Sequence, residues 1–262
     1  VGKKESLLSL LQTKYTDKTK DELVAHILCG EVRVNGERCL DPKTLMDNDS
    51  SIEIGESRRF VSRAGEKLDA LLDEWKMDIS GKVFIDAGCS TGGFTDCLLQ
   101  RGAKYVYAVD VGVNQLDYSL RRNSRVGVKE KTNIVRLVAA DLHLKPDAAV
   151  MDLSFRSVRG AAAHILPLLK EKWIVALIKP QFEWRNPPAD FNGVVKERKH
   201  FLSILFSLIE DLHRERVYVN DITLSTLKGR KGNNEFFFLL TPKQDAAADE
   251  ITRLVEAALR RL

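Results

Sequence analysis

Cysteine is scarce in this chain, and its pattern is uninformative in a useful way. The four cysteines, Cys29, Cys39, Cys89 and Cys97, show no paired metal-ligand spacing. That argues against a metal site or a disulfide framework and fits a reduced cytoplasmic protein. No apolar run reaches the length needed to span a bilayer. No secretory pattern is visible in the sequence as given, so a cytoplasmic location is expected. There are no internal repeats and no low-complexity tracts. Neither sign of charge is in large excess: the formal net charge is +4, which permits an anionic polymer as partner without requiring one. Residues 1–63 hold 11 Lys/Arg against 11 Asp/Glu, so any basic face there must come from local clustering.

What is present suits one large or two modest folded units, since 262 residues carry a 44% hydrophobic fraction. The most informative stretch is Asp86-Ala-Gly-Cys-Ser-Thr-Gly-Gly-Phe94, directly after the apolar run ending at Ile85. A strand runs into a glycine-rich turn, and a helix-like pattern follows (Phe94, Cys97, Leu98, Leu99). Glycine lets the backbone bend tightly and lets a ligand approach the strand end. The spacing is not the Gly-x-Gly-x-x-Gly of dinucleotide sites, and no lysine follows as in a phosphate-binding P-loop. An acid opens the loop instead. An acid suits a ligand with a charged amine, which points to S-adenosylmethionine. An ordinary strand–turn–helix corner is the competing explanation.

Further segments repeat the theme. Lys104–Asp110 is an apolar strand whose closing acid falls 24 residues after Asp86. An acid at that place in a doubly wound sheet bonds ribose hydroxyls of a bound nucleoside. Val135–Asp141, Ala148–Asp152 and Trp173–Lys179 read as further strands with charged ends, and helix-compatible stretches lie between the strands. The expected fold is α/β: a mostly parallel, Rossmann-like sheet with helices on both faces, binding ligands at the strand carboxyl ends. The cofactor site is expected to use Asp86, Gly88, Ser90, Gly92, Gly93, Phe94, Asp110 and Asp141. Cys89 fits small-residue packing better than catalysis, because no histidine partner lies nearby.

Upstream, Ser6–Leu11 is a short helical pattern. A second helix starts at Thr19, with Glu22 three residues on as in a capping box, and runs to Gly30. Val32–Val34 and Ser51–Ile54 alternate as strands, with Asn35-Gly36 between them as a hairpin signal. This small α+β unit is expected over 1–57, followed by a linker over 58–65 and the larger domain over 66–262. Residues 66–79 read as a helix, with Leu68, Leu71, Leu72 and Trp75 on one face. Toward the other end, 181–196 is a loop containing Pro187-Pro188. A long amphipathic helix follows from Lys199 to Arg214. Val217–Leu224 and Glu235–Leu240 are closing strands joined by the basic turn Lys228–Gly232, and 249–262 is a final helix.

Asp152 and Lys179 end adjacent expected strands, so their side chains can meet above the glycine loop. A desolvated lysine can serve as a base. Glu235 also stands at a strand mouth, after Gly232-Asn-Asn. Structural ion pairs are the plain alternative.

The passage Ala25–Gly36, with Gly30-Glu-Val-Arg-Val-Asn-Gly, resembles the alpha-L RNA-binding domain. That resemblance implies phosphate contacts from Lys14, Lys18, Lys20 and Arg33. Val61–Lys67, Asp86–Asp96, Ala108–Gly112, Met151–Phe155, Ile178–Glu183 and Gly232–Glu235 together resemble the TlyA family. This family joins an alpha-L domain to an FtsJ-like methyltransferase domain. The resemblance covers nearly the whole chain and implies S-adenosylmethionine-dependent 2′-O-methylation of cytidine in ribosomal RNA. Its Lys-Asp-Lys-Glu tetrad falls on Lys67, Asp152, Lys179 and Glu235. Arg58, Arg59, Arg63 and the Lys228–Lys231 turn flank the expected RNA path. Residues 184–191, Trp-Arg-Asn-Pro-Pro-Ala-Asp-Phe, depart from the family's glycine-rich charged loop. The family's other name, haemolysin, keeps a membrane-active protein in view, and a non-catalytic RNA-binding or ribosome-assembly factor is a third reading. Ribosomal RNA or ribosomal subunits are the expected partner, no membrane partner is expected, and a monomer is expected.

Overall fold

The computed structural model describes residues 4–28, 30–54, 59–154, 156–245 and 247–262. Cys29, Arg58 and Phe155, all named above, lie outside the described residues. The chain divides into two compact units, Val1–Val61 and Ser62–Leu262.

The first unit runs β1 (Lys4–Ser6), α1 (Leu7–Lys14), α2 (Lys20–Leu28), β2 (Val32–Val34), β3 (Glu37–Arg38), β4 (Leu45–Asp47) and β5 (Ile52–Ile54). The capping box forms as its spacing predicts. The Thr19 backbone N–H donates to Glu22 Oε2 at 2.7 Å, and the Glu22 N–H donates to Thr19 Oγ1 at 3.3 Å. Leu7, Leu11, Leu23, Ile27, Val32 and Ile52 make the core. Asn35 and Gly36 both take positive φ, 51° and 84°, the signature of a type I′ hairpin turn. The turn does not join the two strands expected from sequence. It returns β2 onto the short β3, while β5 pairs β2 on its other edge. β1 and β4, too short to show a pattern in sequence, form a separate two-stranded ladder.

The second unit runs α3 (Arg63–Glu74), β6 (Val83–Ala87), α4 (Gly93–Gln100), β7 (Tyr105–Val109), α5 (Tyr118–Arg121), β8 (Val126–Lys129), β9 (Ala148–Met151), α6 (Ala161–Ile165), β10 (Ile174–Ile178), α7 (Pro180–Glu183), α8 (Arg198–Arg214), β11 (Tyr218–Leu224), β12 (Phe236–Thr241) and α9 (Ala248–Leu259). Seven strands form one sheet in the order β11-β12-β10-β9-β6-β7-β8. The strands from β10 to β8 are parallel, and β12 and β11 run antiparallel. The chain leaves β6 toward β7 on one side and returns through β9 on the other. The crevice at the carboxyl ends of β6 and β9 is therefore a topological switch point, where such sheets bind ligands.

Alternation along the central strands sends side chains to two faces. Ile85, Val109, Met151 and Ile178 pack with Ala161, Leu205, Leu208 and Val255 from α6, α8 and α9. On the opposite face Phe94 of α4 stacks on Phe237 of β12, with centroids 6.2 Å apart.

Two expectations need correction. Val135–Asp141 is not a strand; it forms two 3₁₀ turns, Ile134–Arg136 and Ala139–Asp141. Asn133 Oδ1 accepts the Val135 N–H at 3.3 Å and Asp141 Oδ2 accepts the Val138 N–H at 2.9 Å. Such side-chain bonds give the backbone an alternative to a ladder. The place beside β7 is taken by β8, Val126–Lys129, whose short, half-buried run carries little apolar signal. α3 also begins and ends earlier than the expected 66–79. It stops at Glu74 because Lys76 turns left-handed (φ 51°) and the Met77 N–H closes onto Leu72 O at 2.9 Å. Among the described residues no helix is long and apolar enough to cross a membrane.

Candidate active site

Asp86 closes β6 fully buried. Thr95 Oγ1 donates to its Oδ2 at 2.6 Å, while Oδ1 is buried without a hydrogen-bond partner. Burial is the main cause pushing this carboxyl up to about 7. The Thr95 bond pulls the other way, and the negative charge of Asp152 adds to the rise. The turn that follows depends on glycine. Gly88 has φ +85°, and a Cβ there would meet the Asp152 backbone carbonyl at 2.6 Å, so a side chain has no room. Gly93 lies against the start of α3, where a Cβ would fall 2.2 Å from Ser62 Oγ. That close approach packs the helix carrying Lys67 onto the loop.

Ser90 is exposed, and its N–H donates to Asp110 Oδ2 at 2.9 Å; the Gly112 N–H donates to Oδ1 at 2.7 Å. Each carboxylate oxygen keeps a second lone pair for a ribose hydroxyl. Gly92 caps α4 with φ +93°. The Phe94 ring is buried and stacks on Phe237. Asp141 is exposed and spends one oxygen on its own turn. Burial pushes the Cys89 thiol up, which keeps it protonated and inert and agrees with a packing role.

Beyond the loop, Lys179 follows β10 and Asp152 follows the parallel β9. Lys179 Nζ lies 2.6 Å from Asp152 Oδ1 and donates to Ser154 Oγ at 2.8 Å. Lys67 Nζ, from α3, lies 2.5 Å from Glu235 Oε2, and both residues are buried. Ile178 pairs with Phe236 across the antiparallel β10–β12 ladder. Carrying that register one step further sets Lys179 opposite Glu235. Two Lys–carboxylate pairs thus stand at neighbouring strand mouths over the switch point.

Several contributors were not singled out from sequence. Ser154 lies inside the Met151–Phe155 motif, so its signal was available. Asn233 is buried; its Oδ1 accepts the Val195 N–H at 3.0 Å and its Nδ2 donates to Gly193 O at 2.8 Å. It ties the loop after Lys179 to the strand that carries Glu235. Gly229 lies so close to Glu235 that a Cβ would fall 2.4 Å from Oε1; nothing in the sequence marks it.

Of the expected RNA-binding residues, Lys14 Nζ donates to Ile52 O at 2.5 Å and Arg33 donates to Gly36 O at 2.9 Å within the first unit. Lys20 and Arg59 are exposed and Lys18 is half-buried. Arg63, in the second unit, donates to Lys228 O at 3.0 Å and so holds the basic turn.

A doubly wound sheet with an acid–glycine loop at its switch point and paired lysines and carboxylates beside it defines the Rossmann-like methyltransferase class. The chain belongs to the FtsJ-like methyltransferase family, whose model matches residues 60–241, and within it to the TlyA group. The Bacillus subtilis protein YqxC, which carries an rRNA-methyltransferase name, is 37% identical over 100% of this chain and 96% of its own length. The 16S/23S rRNA (cytidine-2′-O)-methyltransferase TlyA of Mycobacterium tuberculosis is 33% identical over 88% of this chain and 87% of its own. A solved structure of a hemolysin-named protein from Streptococcus thermophilus aligns with a TM-score of 0.71 at 32% identity, covering 99% of this chain and 97% of that one.

The cofactor of this family is S-adenosylmethionine, and the residues present fit it. The partnerless buried oxygen of Asp86 suits an ammonium. The glycine turn leaves the strand end open to a ligand, and Asp110 keeps acceptor lone pairs that suit ribose hydroxyls.

Proposed function

We propose that this chain methylates the 2′-hydroxyl of a ribose, a cytidine in ribosomal RNA, with Lys67, Asp152, Lys179 and Glu235 as the catalytic tetrad. The observation that carries this reading is the pairing of Lys179 with Asp152 at 2.6 Å and of Lys67 with Glu235 at 2.5 Å around one crevice. S-adenosylmethionine supplies an electrophilic methyl carbon on a sulfonium sulfur. A ribose hydroxyl is a weak nucleophile until its proton leaves. Lys179 accepts that proton at Nζ, oriented by Asp152 Oδ1 and Ser154 Oγ. Lys67 and Glu235 hydrogen-bond the ribose and keep its hydroxyl in line with the methyl carbon. Asp86 and the Gly88–Gly93 turn hold the cofactor's amino-acid end, and Asp110 its ribose; Asp141 serves its far side.

The first unit is read as the RNA grip, with Lys14, Lys18, Lys20 and Arg33 facing phosphates and Arg59 and Arg63 flanking the path. Binding through such contacts weakens steeply as salt rises. An enzyme of this kind works where ribosomes are assembled, in the cytoplasm.

The test is transfer of label from S-adenosylmethionine to purified ribosomal subunits and their protein-free RNA, with the nucleoside identified after digestion. Label is expected in 2′-O-methylcytidine, falling by roughly a hundredfold or more in Lys179→Ala while cofactor affinity is kept. Cofactor binding with no transfer to any ribosomal RNA would refute the assignment.

A further inference from the structure

On the segment that follows α7 lies a surface pocket of about 180 Å³ lined by Trp184, Pro188, Phe191 and His200, with Asp190, Lys196 and Glu197 as its charged groups. We infer that it receives an unpaired nucleobase with an exocyclic amine, from a nucleotide flanking the one that is methylated. This rests on the RNA-methyltransferase reading above and adds to it a subsite that the tetrad and cofactor loop do not need.

Three observations support it. First, the pocket is aromatic and pre-built. The Trp184 ring sits 5.0 Å from Phe191 at 65° and 4.7 Å from His200 at 41°, and Trp184 is only half-buried. The Pro187-Pro188 pair stiffens the loop, and the Phe191 N–H closes onto Pro188 O at 3.0 Å. Rigid aromatic faces left partly open are what single-stranded bases stack on.

Second, both walls are fastened to the catalytic strands. Trp184 directly follows α7, which starts right after Lys179. Buried Glu183 anchors that helix, accepting from the Val158 N–H at 2.9 Å, from Ser157 Oγ at 2.5 Å and from Arg159 at 2.7 Å. The far wall is held at 193–195 by Asn233, two residues before Glu235. The pocket's walls thus belong to the segment that leaves Lys179 and is tied back to the strand carrying Glu235, which is why a nucleotide next to the methylated one is the occupant inferred.

Third, of the two acids lining it, Glu197 is already paired with Lys199, and the other is free to read a base. The Asp190 carboxylate is exposed and makes no hydrogen bond or ion pair among the described residues, so it is available to an amine on a base edge. Lys231 Nζ comes within 3.8 Å of a Cβ built on Gly193, which places a cation beside the pocket for the adjoining phosphate.

The experiment uses the full chain with protein-free 16S and 23S ribosomal RNA and with assembled subunits. Trp184→Ala should weaken binding to protein-free RNA by roughly 5- to 150-fold, the loss of one stacked base. Affinity for S-adenosylmethionine and the thermal midpoint serve as controls for folding, and Trp184→Phe should restore most of the affinity. Asp190→Ala is the second variant. Removing an acid beside RNA normally strengthens phosphate binding, so a weakening there reports recognition of an amine. If both alanine variants bind protein-free RNA as well as the parent, the pocket is no base site, and the methyltransferase reading stands without it. If Trp184→Ala weakens only binding to assembled subunits, the pocket takes a protein side chain and the inference fails. If the unaltered chain binds no ribosomal RNA, the functional proposal fails and takes this inference with it.

Discussion

Asp86→Asn should change the pH dependence of folding in a way that can be worked out in advance. In the unfolded chain this carboxyl titrates at its ordinary 3.8, and in the folded chain burial moves it to about 7. The folded state therefore holds a proton that the unfolded state has lost, and stability falls as pH rises between the two values. Below the lower value there is no penalty; above the upper one the penalty is complete. With those two values the cost is about 2 kcal/mol at pH 5 and about 4 kcal/mol at pH 8, a change of about 2–3 kcal/mol. Asparagine cannot ionise and so removes the pH-dependent part. It keeps an acceptor for Thr95 but buries an amide donor where Oδ1 has no partner, a pH-independent cost of about 1–3 kcal/mol. The assay is urea unfolding of both proteins at pH 5 and pH 8. Taking the difference at each pH cancels every other titrating group. The variant's stability relative to the parent should rise by about 2–3 kcal/mol from the acid to the alkaline condition, and its affinity for S-adenosylmethionine should fall. A difference that is flat across the two pH values would show that burial does not hold Asp86 protonated, and the account of its surroundings would be wrong.

Gly229→Ala places a methyl group 2.4 Å from Glu235 Oε1. The cheapest relief is for the carboxylate to swing away from Lys67, so methyl transfer should fall by roughly tenfold or more while the thermal midpoint and cofactor affinity hold; steady-state kinetics beside a melting curve decide it. Arg33→Ala should lower affinity for ribosomal RNA and reduce the salt slope by about one unit, leaving cofactor binding unchanged; equal loss of both would contradict a division of labour between the two units.

The parts legible in the sequence were those where one local rule sufficed. The acid–glycine loop, the strands at 83–87, 105–109, 148–151 and 174–178, the Thr19–Glu22 cap and the long helix over 198–214 all follow from period, propensity and capping chemistry. Asp152 and Lys179 were found because each ends an apolar run. β8 was missed because four half-buried residues with a glycine carry almost no pattern. The 3₁₀ turns near Asp141 were mistaken for a strand because Val135–Ala140 looks apolar, and only the Asn133 and Asp141 side chains reveal that the backbone is bonded locally. Asn233 acts through contacts about forty residues away in sequence, and Gly229 through a close approach to Glu235 inside one tight turn, neither of which periodicity or propensity registers. Phe94 shows a different limit: its helix was anticipated, but which way the ring faces depends on Phe237, more than a hundred residues later.

The tetrad is assembled from four separate carriers: α3 brings Lys67, β9 Asp152, β10 Lys179, and the reversed strand β12 brings Glu235 from its starting end. None of them belongs to the segment 184–191, which begins six residues past Ile178, the end of the last parallel strand. On the readings proposed above, chemistry and target choice are carried by separate parts of the fold. If both readings hold, a change in that segment alters the nucleotide context that is recognised and leaves the reaction itself in place.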